Sequence, residues 1–258
     1  MTPEIKEQLK LIKNNSIFEE DDFYFIGGTA LSFYLDHRIS YDIDIVSTKK
    51  LPIGKINSFA FGIGARAIQD SKAAQFKINS GEDIQNYHMK FMLNGVKLEF
   101  SYFKSEIRNE VIKNASPTLY ENNENDESLL KILSLKDIIK LKIIALFNRQ
   151  KTRDLFDVAV ILEKNLCGLE ELEQIYSFVK TGNNSIMDYI DKFNSTDDDG
   201  DNSLDFIKHQ EYYKTFRSLN QKNRFLKAKS MFIEEYEKIQ KVKISVIERD
   251  LKRSKNKK

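Results

Sequence analysis

Two aspartates separated by one residue form the clearest chemical pattern in the sequence. Asp42 and Asp44 lie in Tyr41–Ile45, a stretch that alternates polar and apolar residues. Because strand side chains alternate between two faces, both carboxylates lie on one face, about 7 Å apart at the backbone. Two like charges this close repel each other unless a cation lies between them. The spacing is therefore typical of a metal site, with Ile43 and Ile45 facing a core.

A glycine turn precedes the aspartates. Apolar Phe23–Ile26 predicts a short buried strand, Gly27-Gly28-Thr29 ends it, and Ala30–Leu35 predicts the first turns of a helix. Backbone amides at a helix start bind phosphate, and glycine lets the backbone approach the ligand. We therefore predict that Gly27 and Gly28 bind phosphate and that the Thr29 hydroxyl assists. The alternative is an ordinary turn before a helix.

Two residues after this helix are candidates for substrate contact. Arg38 has a guanidinium whose fork matches phosphate oxygens, so we predict that it binds phosphate. His37 either makes one hydrogen bond within a loop or contacts the substrate, and the sequence favours neither. The Asp-x-Asp pair also has an alternative interpretation, as the solvated edge of a strand.

The order of these motifs resembles a known superfamily. A Gly-Gly-Thr turn, a helix and a strand with Asp-x-Asp are similar to nucleotidyltransferases of the DNA polymerase β type. The fuller string GGTAL…HR.S.D.D resembles the AbiEii/AbiGii toxin-like branch. Members often have glycine before the His-Arg pair, where this chain has Asp36. The resemblance implies that Ser40 joins Arg38 in the phosphate-binding site.

The resemblance also implies a third carboxylate. Glu99 lies between Leu98 and Phe100, in a hydrophobic–acid–hydrophobic triplet where the superfamily has its third acidic residue. Considered alone, a single glutamate on a strand is more often an exposed residue. With the resemblance, Glu99 is expected to complete a metal site with Asp42 and Asp44.

A second signature follows in the middle of the chain. The string Lys142-x6-Arg149-x3-Arg153-Asp154-x2-Asp157 resembles a K…R…RD..D pattern that spans two helices in the family. The resemblance implies that Lys142 contacts the triphosphate and that Asp154 is an active-site carboxylate. Otherwise Lys142 would extend its ammonium from an apolar helix to solvent. Arg149, Arg153 and Asp157 would then form a salt-bridged brace, the interpretation favoured for Asp157.

The residues from 73 to 103 predict three strands. Gln75–Ile78 and His88–Met92 alternate polar and apolar residues, and Val96–Phe103 follows Asn94-Gly95. Asn-Gly between two strand-like runs is a strong hairpin signal because both residues tolerate positive φ. With the resemblance, these runs predict an α+β fold in which a nucleotidyltransferase-type mixed sheet core has flanking helices and is followed by an all-helical C-terminal domain.

The chain is expected to divide near residue 115. The acidic stretch 121–127 predicts a loop, and only helical periodicity follows it. We predict a nucleotidyltransferase core at residues 1–115 and a helical domain at 116–258 that closes the active site. Six of the ten residues in 249–258 are Lys or Arg. Such a basic tail is usually disordered, and RNA contact is the less common alternative.

Composition excludes several classes of protein. The chain has 258 residues, 41% of them hydrophobic, and a net charge of +2, which fits a globular protein and gives no general case for nucleic-acid binding. The single cysteine, Cys167, excludes an internal disulfide. We interpret it as a buried packing residue. We expect a cytoplasmic protein, because no stretch is apolar enough for a membrane span and no signal peptide is evident.

Together these features predict a metal-dependent nucleotidyltransferase. Two Mg²⁺ ions about 4 Å apart stabilise the attacking and leaving oxygens of such a transfer. Asp42 and Asp44 would hold the metals, and Glu99 would complete the nucleophile side and accept its proton. The resemblance implies a toxin of a toxin–antitoxin or abortive-infection system, with an NTP substrate, an RNA acceptor such as tRNA, and a cognate antitoxin. The alternatives are a small-molecule nucleotidyltransferase of the antibiotic-modifying type and a non-catalytic binding module.

Overall fold

The computed structural model describes residues 1–20, 22–121, 128–180, 184–194 and 210–255. The chain divides into two compact units, of which Met1–Ile138 makes most of the first and the second begins at Ile139. The predicted domain division near residue 115 stays a prediction, and most of the acidic stretch that suggested it lies outside the described residues. Over the ranges given above, no helix is long and apolar enough to cross a bilayer.

Strands and helices alternate in the first unit. The strands are β1 (Phe23–Ile26), β2 (Asp42–Ser47), β3 (Arg66–Ile68), β4 (His88–Leu93), β5 (Val96–Tyr102), β6 (Thr118–Leu119) and β7 (Lys131–Ile132). The helices are α1 (Pro3–Ile12), α2 (Ile17–Glu20), α3 (Gly27–Leu35), α4 (Ile53–Gly62), α5 (Ala73–Ser80) and α6 (Glu106–Lys113). A 3₁₀ turn spans Ile84–Asn86. The mixed sheet and its helices confirm the predicted α+β core.

The sheet brings the predicted site strands together. Within the described residues it has seven strands in the order β3-β4-β5-β2-β1-β7-β6. Strand β2 pairs parallel with β5 and antiparallel with β1. The register places Asp42 opposite Lys97 and Asp44 opposite Glu99. Because directly opposed residues share a face, these four side chains lie on one face of the sheet.

The opposite face of the central strands is an apolar core. Ile43, Ile45 and Phe100 are each at most 1% exposed, which confirms the predicted direction of the β2 side chains. Strand β5 follows β4 through the predicted hairpin. Asn94 and Gly95 form its turn with φ values of 48° and 84°, the positive values that this turn requires. The carboxylates therefore stand on a strand pair whose other side is firmly packed.

One predicted strand is wrong. Gln75–Ile78 lies in helix α5, which has no buried residues. The third strand of this region is instead β3, which pairs antiparallel with β4. The alternation in Gln75–Ile78 covers only four residues, too few to distinguish a strand from an exposed helix that has no apolar stripe.

From Leu135 onward the described part of the chain is helical. Its helices are α7 (Leu135–Asn148), α8 (Thr152–Glu163), α9 (Leu169–Val179), α10 (Ile186–Asp191), α11 (Gln210–Phe216), whose first residues belong to the first unit, and α12 (Gln221–Lys255). This confirms the predicted helical C-terminal region. Ala228, Phe232 and Tyr236 recur at helical spacing and form a buried stripe on α12. The interpretation of the basic tail as disordered is wrong for residues 249–255, which continue α12; residues 256–258 lie outside the described residues.

Candidate active site

Helix α3 begins with two glycines because other side chains pack against the backbone at both positions. Gly27 has a φ of +85°, and a Cβ at this position would lie 2.0 Å from a carboxylate oxygen of Asp44. A Cβ on Gly28 would lie 2.8 Å from both the Arg38 guanidinium and the Ser40 hydroxyl. The two glycines therefore allow three of the predicted site residues to converge on one helical turn.

The position of this turn suits negative charge. The N-cap residue Ile26 makes no side-chain hydrogen bond to α3. The first amides of a helix lack intrahelical acceptors and carry the positive end of the helix dipole. A carboxylate such as that of Asp44, or a phosphate, is therefore stabilised here. Phosphate binding by Gly27 and Gly28 stays a prediction.

The loop after α3 begins with a left-handed residue. Asp36, at the C-cap, has φ 48° and ψ 29°, a conformation that glycine adopts easily and that aspartate tolerates better than most residues. The Asp36 carboxylate also lies 3.6 Å from the N-terminal amine of Met1. Asp36 therefore ends α3 in the left-handed conformation that glycine would otherwise provide.

Buried contacts hold the loop between α3 and β2. The Thr29 side chain is fully buried, and its hydroxyl donates a hydrogen bond to the Asp42 carbonyl. Arg38 is 4% exposed and donates to the Ile39 carbonyl at 2.8 Å. His37 is also buried. Thr29 thus joins the start of α3 to the start of β2, while its predicted phosphate contact and that of Arg38 stay predictions.

A lysine lies between two of the three predicted carboxylates. The Nζ atom of Lys97 is 3.2 Å from Asp42 Oδ2 and 2.8 Å from Glu99 Oε1. The second carboxylate oxygen of Glu99 is 3.1 Å from Nε2 of His88. Sequence reasoning did not identify Lys97 or His88. The available signal for Lys97 was its place two residues before Glu99, which puts both on the same strand face.

These contacts keep Glu99 ionised. Burial raises the pKa of the Glu99 carboxyl, but hydrogen bonds from His88 and Lys97 outweigh burial and hold the pKa at about 2. Burial lowers the pKa of Lys97, whereas the carboxylates of Glu99 and Asp42 raise it, and the net direction is upward. The Lys97 ammonium and the Glu99 carboxylate therefore remain charged around neutral pH.

Asp42, Asp44 and Glu99 are carboxylates, the kind of ligand that Mg²⁺ prefers together with water, but they are not assembled as a ligand cage. In the described part of the chain, no three His, Cys, Asp or Glu side chains are grouped so that they could hold a metal ion. The Lys97 ammonium instead lies between Asp42 and Glu99. Mg²⁺ binding by the three carboxylates therefore stays a prediction.

The second signature forms a buried network between α7 and α8. Lys142 is 6% exposed, and its Nζ lies 2.8 Å from Asp157 Oδ2 and 3.8 Å from Asp154 Oδ1. Arg149 donates to both oxygens of Asp154, at 2.6 and 3.0 Å. The alternative in which Lys142 reaches solvent is wrong, because its side chain is buried. Asp157 links the two helices through Lys142, and the roles of Lys142 and Asp154 toward a substrate stay predictions.

Comparison with known proteins identifies one family over most of the chain. The family model described as the nucleotidyl transferase AbiEii toxin of a type IV toxin–antitoxin system matches residues 13–243. The uncharacterised protein aq_aa25 of Aquifex aeolicus is 28% identical over 155 residues, which are 60% of this chain and 65% of that protein. The chain thus spans slightly less than two thirds of that relative.

Two solved structures align over most of their length. JHP933 from Helicobacter pylori aligns with a TM-score of 0.46 and 18% identity, covering 95% of this chain and 96% of that one. The nucleotidyltransferase toxin MenT4 from Mycobacterium tuberculosis aligns with a TM-score of 0.47 and 10% identity, covering 91% of each chain. At these TM-scores, family membership rests on the family model alone.

Proposed function

The chain belongs to the AbiEii nucleotidyl transferase toxin family, and on this premise we propose that it transfers a nucleotidyl group from an NTP to RNA in a Mg²⁺-dependent reaction. The observation that carries the proposal is the convergence of Asp44, Arg38 and Ser40 on the Gly27-Gly28 turn. A guanidinium and a hydroxyl that are predicted to bind phosphate lie there within one helical turn of a carboxylate from the strand with the Asp-x-Asp motif.

The residues of the sheet unit divide the work of the reaction. Bound Mg²⁺, held by Asp42, Asp44 and Glu99, would neutralise the triphosphate and increase the acidity of the attacking hydroxyl. Glu99 would accept the proton of that hydroxyl once Lys97, which helps to hold its pKa low, has moved away. The hydroxyl oxygen then bonds to the α-phosphorus of the NTP, and pyrophosphate leaves. Arg38 and Ser40 would bind phosphate oxygens through hydrogen bonds.

A pocket beside Glu99 offers space for the acceptor. It lies between β3, β4 and α5, has a volume of about 480 Å³, and is lined by His88, whose ring contacts Glu99. Amide and ammonium groups bind bases and phosphates readily. The amide and ammonium side chains of Asn57, Gln69, Lys77 and Gln85 are among those that line the pocket. This supports an RNA end as the acceptor on the nucleophile side.

The description of the matched family also supports a protein partner and a cellular compartment. The matched family is named for a toxin of a type IV toxin–antitoxin system. A cognate antitoxin would accordingly counteract this chain. The toxin would act in the cytoplasm, where NTPs and RNA are both present.

Labelled nucleotides test the proposal directly. The protein is incubated with α-³²P-labelled NTPs, Mg²⁺ and total RNA, and the products are separated by size. Label is expected in RNA with wild-type protein and with Asp191→Asn, a change at an exposed carboxylate on α10, but not with Asp44→Asn. Label in small molecules would indicate the antibiotic-modifying type of enzyme, and NTP binding without transfer would indicate a binding module.

A further inference from the structure

The contact of Lys97 with two predicted metal ligands suggests a function for this lysine. Its ammonium reaches from β5 to Asp42 on β2 while it also binds Glu99 on its own strand. We propose that Lys97 is an internal counter-cation: it holds Asp42 and Glu99 in place before the metal binds and releases them to the metal. This inference rests on the proposed function, because it assumes that these carboxylates bind Mg²⁺.

Distance dictates that the lysine and the metal compete. The contacts of Lys97 are 2.8 and 3.2 Å long, whereas carboxylate oxygens bind Mg²⁺ at about 2.0–2.1 Å. An ammonium and a metal ion therefore cannot occupy the space between the same two oxygens. Strand pairing fixes the backbones of β2 and β5, so the long, flexible side chain of Lys97 is the group that moves.

Glu99 is fully engaged before this exchange. One of its oxygens contacts Lys97 and the other contacts His88. Release of Lys97 leaves one oxygen for the metal or the nucleophile, while the His88 contact still orients the carboxylate. Lys97 would thus compete with stray cations for the site. It would also reduce the repulsion between the Asp42 and Glu99 carboxylates before a metal ion binds.

A second lysine, Lys90, also lies next to Glu99 but does not contact its carboxylate. Lys90 lies directly opposite Glu99 in the pairing of β4 with β5. Its ammonium instead lies 3.3 Å from Asp70. Lys90 and Lys97 have the same exposed fraction to within a few per cent, 30% and 34%. Lys90 is therefore a matched control for the general effect of removing one positive charge from this face.

Binding of Mn²⁺ to the full chain tests the inference without NTP or RNA. Calorimetric titration is performed on wild type, Lys97→Met, Lys97→Arg and Lys90→Met. We expect Lys97→Met to bind Mn²⁺ roughly two- to fivefold more tightly, the size of effect of a partly exposed ion pair. Lys97→Arg and Lys90→Met should bind as wild type does. In EDTA, Lys97→Met should melt at a lower temperature than wild type, and Mn²⁺ should raise that temperature more than it does for wild type.

Each other outcome has a distinct meaning. Equal or weaker Mn²⁺ binding by Lys97→Met, or equal tightening by Lys90→Met, would overturn the role of Lys97 and leave the proposed function standing. Mn²⁺ binding that is absent from wild type, or unchanged by Asp42→Asn, would overturn the metal site and with it both proposals. If Lys97→Met does not fold in EDTA, Lys97→Gln, which keeps a hydrogen-bond donor, replaces it in the same titration.

Discussion

The carboxylate face of the sheet and the α7–α8 pair use the same kinds of side chain under opposite conditions. On the sheet face the side chains of Asp42, Lys97 and Glu99 are 27%, 34% and 16% exposed, and the Lys97 ammonium contacts both carboxylates. Between the helices, the Lys142 side chain is 7% exposed and those of its two aspartates are fully buried. There Arg149 supplies a second cation.

This difference separates a site that can exchange its cation from one that cannot. On the sheet face the two carboxylates that contact Lys97 are partly exposed to water, so we expect the exchange of its ammonium for another cation to cost little. Between α7 and α8, each aspartate contacts a basic side chain and is buried away from the water that could otherwise solvate its charge. Removal of one member leaves a buried charge unpaired, which costs about 3–5 kcal/mol. Chemistry is thus expected on the sheet face, and the network holds α7 and α8 together.

The largest effect is expected on the sheet face. Asp42→Asn or Asp44→Asn should reduce nucleotidyl transfer by at least about a thousandfold, because loss of a metal ligand removes several kcal/mol of transition-state stabilisation. The stability to urea should change by less than about 1 kcal/mol, since partly exposed pairs contribute little. Transfer assays and urea unfolding measure the two effects. Wild-type turnover in either variant with Mg²⁺ would contradict the assignment.

Substitutions in the buried network between α7 and α8 should mainly lower the free energy of unfolding. Lys142→Met removes the ammonium that contacts buried Asp157 and should lower the free energy of unfolding by about 3–5 kcal/mol. A second change in the same chain, Asp157→Asn, should recover most of this loss because it removes the negative charge that Lys142 compensates. Urea unfolding of both single variants and the double variant measures the coupling. Additive losses in the double variant would show that the two side chains do not form an energetic pair.

The same double variant tests the predicted triphosphate contact of Lys142. A cation at a triphosphate contributes about 1.5–3 kcal/mol. The folded double variant should therefore bind NTP or transfer its nucleotide roughly ten- to a hundredfold less well. Unchanged NTP binding and transfer would limit Lys142 to holding the helices together.

Local patterns predicted the elements that local geometry determines. The Asn94-Gly95 hairpin and the inward direction of Ile43 and Ile45 follow from turn chemistry and strand alternation, and the structure has both. Gln75–Ile78 was predicted wrongly because exposed α5 has no apolar stripe to reveal its period. Continuation of α12 beyond Arg249 was missed because charge content alone does not determine backbone conformation.

The site could be predicted only in part, for a related reason. Resemblance and spacing selected Asp42, Asp44 and Glu99, and strand pairing places all three on one face. Lys97 acquires its role from the parallel register of β2 with β5, and His88 from the pairing of β4 with β5. No local sequence pattern specifies a pairing between strands that are fifty residues apart, about the separation of Asp42 and Lys97.

The buried network should make the free energy of unfolding depend on pH in the acid range. Burial raises the pKa of Asp154, but Lys142 and Arg149 outweigh burial, and the net direction is below the ordinary value of 3.8. Between the folded pKa of Asp154 and its ordinary value of 3.8, the unfolded chain binds more protons than the folded chain. The stability that Asp154 contributes is therefore present above pH 3.8 and is lost as the pH falls through the lower folded pKa. Asp154→Asn should make the decline in unfolding free energy less steep below about pH 4. Urea midpoints from about pH 5 to 2 measure this, and an unchanged slope would contradict it.

The smallest effect is expected from the end of α12, far along the chain from both charged clusters. In the sequence, Arg249, Lys252 and Arg253 recur at spacings of three and four residues, the spacing of neighbours on one side of a helix. If this side binds RNA, deletion of residues 249–258 should weaken RNA binding and reduce the slope of log K against log salt by about 0.7 for each lost contact with single-stranded phosphate.

NTP affinity and folding should survive this deletion, because the buried stripe of α12 ends well before it, at Tyr236. Lys238→Gln with Lys241→Gln, on the exposed side of the same helix, controls for a general loss of positive charge. Binding of fluorescent RNA is measured between about 50 and 200 mM salt, the range in which phosphate contacts weaken most visibly. An unchanged slope in the truncated chain, or an equal change in the control, would leave RNA binding to the sheet face and its pocket.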